Sequence, residues 1–338
     1  KEGRQALFNQ DGQTDLAIMV LTMMRFCLPR AFLEDYETNV ELTKKVNWPR
    51  RPKIIYTVNG FAGDPVFQLF VAEKVRQFGT NYVVGQHGAN YGTLRMSRFW
   101  PEMRVASKFI SWGWSNEARY NIEIKPGFNL IDRKIGSCFK KRVLIVLKGP
   151  GNRSAISCRH FEYMLEVNMA IAIADLFGKF QEWEVTVRLH HNASEDEANF
   201  IKQKCEENEQ TIKMDNGLKA IERVSKDHGL IIFTYDSAGF LECLSSNRPT
   251  IGAFKYFKGR YFENAQKKYS NLRDAGIING DINTLAIFLE KHHDNINDWW
   301  NTQSNQSVVK EFTSEYVKQK PKNKRLADLL NPIFWPKS

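Results

Sequence analysis

The chain of 338 residues carries 48 Lys and Arg against 38 Asp and Glu, a net charge of +10, and is 42% hydrophobic and 12% aromatic. Such composition excludes a disordered chain, and the length exceeds the ~100–200 residues that one core usually fills, so two domains are expected. No stretch reaches the ~18–20 apolar residues that cross a bilayer.

In chain order, Leu16 to Phe26, interrupted by Arg25 and followed by Pro29, reads as a short buried helix. Lys53 to Thr57 reads as a strand, Asp64 to Phe78 as a helix ended by Gly79, and Asn81 to Gly85 and Lys108 to Gly113 as further strands. Lys125 to Lys141 is polar and turn-rich and marks the domain boundary. Beyond it Arg142 to Leu147 is a continuous apolar run, the pattern of a strand buried on both faces of a parallel sheet. A helix near Phe161 to Phe177, a strand Glu184 to Leu189, a helix Ser194 to Glu207, a strand Leu230 to Thr234, a helix Ser237 to Leu244 and a short strand Thr250 to Phe254 follow. Ile282 to His292 and a long helix over Asn297 to Val317 close the chain. Alternation of strands and helices predicts an α/β protein with parallel sheets. The expected division is residues 1–130, residues 131–315 and a basic tail, 316–338, that packs back on the first domain.

Five cysteines, Cys27, Cys138, Cys158, Cys205 and Cys243, are far apart and form no CxxC pair, as expected of reduced thiols in a cytoplasmic protein. A first residue of Lys suggests part of a longer, multidomain chain. The cations are scattered except for Lys318-Gln319-Lys320-Pro321-Lys322-Asn323-Lys324-Arg325. No nucleic-acid module accompanies that run, so no nucleic-acid partner is expected; a phosphate-bearing substrate explains the charge better.

Ligands of open α/β sheets bind beyond the carboxyl ends of the strands, which directs attention to four loops. Gln86-His87-Gly88-Ala89-Asn90-Tyr91-Gly92 combines glycines with the donors and acceptors of Gln86, Asn90 and Tyr91; His87 is either a general acid or base or a turn residue. Lys148-Gly149-Pro150-Gly151-Asn152-Arg153-Ser154 offers Lys148 and Arg153 to a phosphate or carboxylate, or forms a structural turn; it has neither the P-loop nor the GxGxxG order. In Arg188-Leu189-His190-His191-Asn192, consecutive strand side chains point to opposite faces, so the two histidines do not share a metal. His190 or His191 is instead suited to a nucleotide phosphate, with Arg188 on the side of His190. In Tyr235-Asp236-Ser237-Ala238-Gly239-Phe240-Leu241-Glu242, Ser237 is placed to cap a helix whose free amides attract an anion, and Glu242 is either a solvated side chain or a contact for a ribose diol. A nucleophile or base must come from Asp64, Glu102, Glu117, Asp132 and Asp236, and no DxD triplet or ligand cluster indicates a metal.

These motifs, with Ser111-Trp112-Gly113-Trp114-Ser115 and Trp299-Trp300, resemble GT-B glycosyltransferases. More narrowly, over residues 53–315 they are similar to a bacterial family of surface-polysaccharide transferases and to β-Kdo transferase domains of O-antigen, lipopolysaccharide and capsule synthesis. The resemblance implies two Rossmann-like domains facing a cleft and transfer of Kdo from CMP-Kdo to a saccharide acceptor with retention. It implies Lys148, Arg153, Arg188, His190, His191, Tyr235, Ser237 and Glu242 on the donor side and Gln86, Gly88, Asn90 and Tyr91 on the acceptor side. Glu102 and Glu117, ahead of Asp64, are the implied catalytic carboxylates beside His87. One phosphate and one sugar carboxylate need no metal cofactor. A lipid-linked glycan acceptor and peripheral association with the inner membrane face belong to the same expectation. Related CMP-sugar enzymes carry His-Pro where this chain reads His190-His191-Asn192. The alternatives are a CDP-glycerol-type or other nucleotide-sugar transferase and a non-catalytic saccharide- or nucleotide-binding module.

Overall fold

A computed structural model describes residue 4 and residues 14–115, 120, 122–129, 140–149, 159–255 and 258–334. The chain forms two compact units. One comprises Lys1–His87, Trp100–Ile110 and Tyr120–Ile124; the other comprises Gly88–Phe99, Ser111–Arg119 and Lys125–Ser338. Each contains a sheet with parallel strands between helices, so both are α/β units of Rossmann type.

The first unit begins with α1 (Asp15–Cys27) and α2 (Tyr36–Lys45). Its sheet has the order β1 (Ile54–Thr57), β2 (Asn81–Gly85), β3 (Lys108–Ser111), β4 (Glu123–Pro126), with β1, β2 and β3 parallel. Between β1 and β2 runs α3 (Pro65–Phe78), which Asp64 caps by accepting from Phe67 N at 3.0 Å. Trp48 packs on Phe67 and Phe70 of that helix, and Val83, Val84 and Phe109 are fully buried in the sheet. A short helix, α4 (Glu102–Val105), precedes β3. Helix α1 forms where its apolar run predicts, but it is not a buried helix: none of its residues is buried, and Leu16, Met23 and Phe26 are 65%, 57% and 77% exposed. Apolar residues occupy its whole circumference, so the pattern names no inward face; Arg4 donates to Arg25 O at 2.7 Å, and only Ala17, Leu21 and Arg25 of the helix are half-buried.

The second unit holds a five-stranded, wholly parallel sheet: β5 (Arg142–Val146), β6 (Glu184–Arg188), β7 (Ile212–Asp215), β8 (Leu230–Phe233) and β9 (Thr250–Gly252), in the order β7-β6-β5-β8-β9. Its central strands consist of Val, Leu and Ile because both faces are covered by helices; Val143, Leu144, Ile145 and Ile232 have no exposed surface. Each such side chain contributes about 1.5–3 kcal/mol by its burial. The helices are α5 (Arg159–Gly178), α6 (Glu195–Glu207), α7 (Ile221–Val224), α8 (Ala238–Ser245), α9 (Glu263–Asp274), α10 (Ile282–His292), α11 (Ile296–Trp300), α12 (Gln303–Tyr316) and α13 (Leu326–Phe334). Strand order reverses between β5 and β8, which makes their carboxyl ends the topological switch point.

Three differences from the sequence expectation have local causes. The long helix over Asn297 to Val317 is two helices, because the Thr302 side chain caps a new start by accepting from Asn305 N at 3.4 Å. Strands β4 and β7 lie at sheet edges and carry Lys and Glu or Asp, so they lack the apolar run of a central strand. Helix α9 is rich in Lys, Asn and Gln, and only Ala265, Tyr269 and Leu272 of it are buried. Lys318 of the basic run donates its backbone N–H to Trp112 O at 2.7 Å and accepts from Asn129 N at 2.8 Å, both within the second unit. Among the described residues no helix is long and apolar enough to cross a membrane, and Cys27, Cys205 and Cys243 are free thiols.

Candidate functional site

In the first unit, Gln86 continues β2 by donating its backbone N–H to Ile110 O at 2.9 Å, and is 4% exposed. His87 follows with its ring tilted against Phe61, centroids 5.7 Å apart, and keeps part of its surface open to solvent. The atoms packed round the ring lower its pKa, against the opposing pull of the Glu102 carboxylate. A lowered pKa favours the neutral imidazole, which is able to accept a proton. Glu102 is 4% exposed at the start of α4 and also raises the Tyr82 phenol, which burial first pushes up, to about 12. Asp64 is exposed, and its carboxylate caps α3.

The glycine-rich loop continues into the second unit with Gly88 and Asn90 half-buried and Tyr91 buried. Asn90 has φ of 76° and Gly92 73°. A Cβ on Gly92 would lie 2.4 Å from the Trp114 ring, so close packing as well as backbone sign calls for glycine there.

At the switch point, the ends of β5, β6 and β8 line a cavity of about 150 Å³ with Arg188, His190, His191, Tyr235, Ser237 and Gly239 on its wall. Ser237 accepts from Phe240 N at 3.1 Å and caps α8, whose first amides and positive dipole end lie there. Lys148 continues β5 and pairs with Glu166 of α5 at 3.7 Å. Gly149 lies so close to His190 that an added Cβ would be 2.7 Å from the imidazole. Burial first, then the neighbouring His191 and Arg188, lower the His190 pKa. Burial raises the Tyr235 phenol, against a hydrogen bond with Ser237. Glu242 is half-buried on α8.

Two expectations change in the structure. Strand β6 ends at Arg188, so His190 and His191 lie in a turn rather than on opposite strand faces, and their rings approach to 4.1 Å with a 34° tilt. Arg188 shares the cavity wall with His190, but its guanidinium is engaged rather than open: it binds Asp215 and the carbonyls of Gly217 and Lys219, and its side chain is 9% exposed. Glu117 and Arg153 lie outside the described residues. The one cluster of potential metal ligands among the described residues, Glu182, His293 and Asp294, already holds Lys141, whose ammonium pairs with both carboxylates at 3.1 and 2.8 Å.

A family model described as LIC12162 family transferase matches residues 3–329. The chain belongs to the LIC12162 transferase family. No curated protein matches it. Among solved structures it is similar to TarM of S. aureus, with 14% identity, 82% of this chain and 55% of that one covered, and a TM-score of 0.48. The chain thus spans little more than half the length of TarM. It is also similar to the UDP complex of S. aureus MnaA, with 11% identity, 92% and 90% covered and a TM-score of 0.49. A third likeness is MurG of Acinetobacter baumannii, with 11% identity, 90% and 81% covered and a TM-score of 0.43.

In this LIC12162 transferase three partners of candidate site residues escape motif reading. Glu166 reaches Lys148 from the body of α5, and Tyr269 and Tyr261 meet Asp236 from more than twenty residues downstream. Only Glu166 had a usable signal, a carboxylate on the helix that follows β5 in sequence.

Proposed function

We propose that the chain is a GT-B glycosyltransferase that moves Kdo from CMP-Kdo to a saccharide acceptor, with retention, in bacterial surface-polysaccharide synthesis in the cytoplasm. The observation that carries this reading is the convergence of Lys148, His190 and the Ser237-capped start of α8 at the β5/β8 switch point. Free amides, a helix dipole and an ammonium together suit a phosphate. With Arg188 committed to Asp215, the positive charge left among the described residues suits the single phosphate of a CMP-sugar better than a diphosphate without metal. Glu242, on the same helix, is assigned to the ribose hydroxyls.

In the transfer, the bond from the anomeric carbon to the phosphate oxygen breaks and its electron pair leaves with CMP. The acceptor hydroxyl oxygen bonds to that carbon on the face the phosphate vacates, and its proton passes to His87. The Glu102 carboxylate steadies the imidazolium so formed. Gln86, Gly88, Asn90 and Tyr91 are assigned to the acceptor, a glycan that includes lipid-linked forms reached by peripheral association with the membrane.

Two measurements test this. CMP is expected to raise the melting temperature where UDP and GDP do not, and CMP-Kdo with a short glycan to yield a longer glycan and CMP. Stabilisation by UDP or GDP and not CMP overturns the donor, and CMP binding without product makes the chain a binding module.

A further inference from the structure

Asp236 stands between two parts of the second unit that the reading above assigns to donor and acceptor. Its backbone joins Tyr235 to the Ser237 cap of α8. Its Oδ2 accepts from the Tyr269 phenol at 2.7 Å, while Oδ1 is buried without a hydrogen-bond partner. Tyr269 and Tyr261 are 1% and 3% exposed, with ring centroids 4.5 Å apart. From these two tyrosines the connection runs on to the glycine-rich loop. Leu94 bridges Tyr261 in antiparallel fashion, Phe262 N donates to Thr93 O at 2.8 Å, and Arg95 Nε donates to Tyr261 O at 2.8 Å. The buried Thr93 hydroxyl lies beside the Tyr269 phenol.

We propose that Asp236 is a positioning residue: through Tyr269 and Tyr261 it holds the 88–99 segment, with Asn90 and Tyr91, in one register with the Ser237 helix start. This rests on the transferase reading for its purpose, since it assigns the segment and the helix start to the two substrates of one reaction. An apolar side chain would fill the same buried space at lower cost than a carboxyl with one unsatisfied oxygen. A carboxyl is retained there because it accepts from phenols that carry the loop. Burial pushes its pKa up to about 6, with the Tyr269 hydrogen bond, Arg260 and Tyr261 opposing. The positive end of α8, whose cap it precedes, opposes in the same sense. Protonation of Asp236 weakens its acceptance from the phenols, so the joint loosens as pH falls through this range.

Hydrogen–deuterium exchange on the full chain, with Tyr269→Phe and Asp236→Asn, decides this. Tyr269→Phe keeps the ring and removes the donor, and is expected to raise exchange in residues 88–99 about tenfold, the equivalent of one hydrogen bond to a charged group. Residues 142–146 of the same molecules serve as the folded reference and are expected to be unchanged. In the wild type the protection of 88–99, its exchange relative to the intrinsic rate at the same pH, is expected to fall as pH drops through a midpoint near 6, and in Asp236→Asn protection is expected to be independent of pH. Unaltered exchange of 88–99 in a folded Tyr269→Phe chain overturns the proposal, as does a pH-dependent protection that survives Asp236→Asn. CMP and UDP binding to the wild type is measured in parallel. Binding of neither rejects the transferase reading, while the exchange result still decides the joint.

Discussion

Arg188 at the end of β6 gives its guanidinium to Asp215 at the end of β7, and the same group holds the carbonyls of Gly217 and Lys219. This pair fastens the edge strand and its following turn beside the strand-end cavity. Arg188→Ala leaves Asp215 with only the Gly217 amide and two carbonyls without this donor, and is expected to cost about 3 kcal/mol. Arg188→Lys recovers little of that, because an ammonium cannot span the same acceptors. Urea denaturation measures both. Loss of CMP binding at unchanged stability would instead make Arg188 a ligand contact.

Gly149 bears on His190 alone. In Gly149→Ala the new methyl would stand 2.7 Å from the imidazole, so ring or loop must move. Displacement of the ring from the phosphate is expected to raise the Kd for CMP about tenfold, a loss of ~1.4 kcal/mol, read by calorimetry, while the overpacking itself lowers the melting temperature.

Glu242 is half-buried on a helix whose Phe240, Leu241 and Leu244 make the core contacts. Glu242→Ala is expected to weaken CMP binding about tenfold and to move Tm by less than ~2 °C. Equal affinity in variant and wild type removes Glu242 from the donor site.

Burial sets the protonation of both loop histidines. His87 and His190 have folded pKa values below the ordinary ~6.5 of an imidazole. Below that value the unfolded chain binds more protons than the folded one, so stability falls as pH drops. His190→Asn removes one such group, and its stability relative to wild type is expected to improve from pH 7 to pH 5 in urea titrations. His87→Asn is expected to abolish transfer while leaving CMP binding intact, with product formation as the readout.

Helix α1 separates hydrophobicity from burial. Met23→Ser and Phe26→Ser, at positions 57% and 77% exposed, are expected to change stability by less than ~0.5 kcal/mol. Phe240→Ala, at a position with no exposed surface, is expected to cost about 3–5 kcal/mol. Thermal or urea unfolding of the three variants ranks them.

Where one local signal decides an element, the residues alone determine it. Arg142 to Val146 is a buried strand because its four successive apolar residues, Val143 to Val146, need two covered faces, and Ser237 caps α8 because its hydroxyl has an orphan amide three residues on. The α/β class and the strand-end loops as places for chemistry follow from that alternation. Partnership across the chain was decided only in the tertiary structure. Nothing near Arg188 in sequence announces that its charge is spent on Asp215, twenty-seven residues away. Nothing near Asp236 announces Tyr269, thirty-three residues away. The same holds in reverse for α1, whose apolar residues read as core until the packing leaves them exposed. The opening surplus of +10 divides accordingly: pairs such as Lys44 with Glu41 and Lys204 with Glu207 are legible within one helix, whereas Arg188 with Asp215 and Lys213 with Glu184 exist only because strand order brings them together.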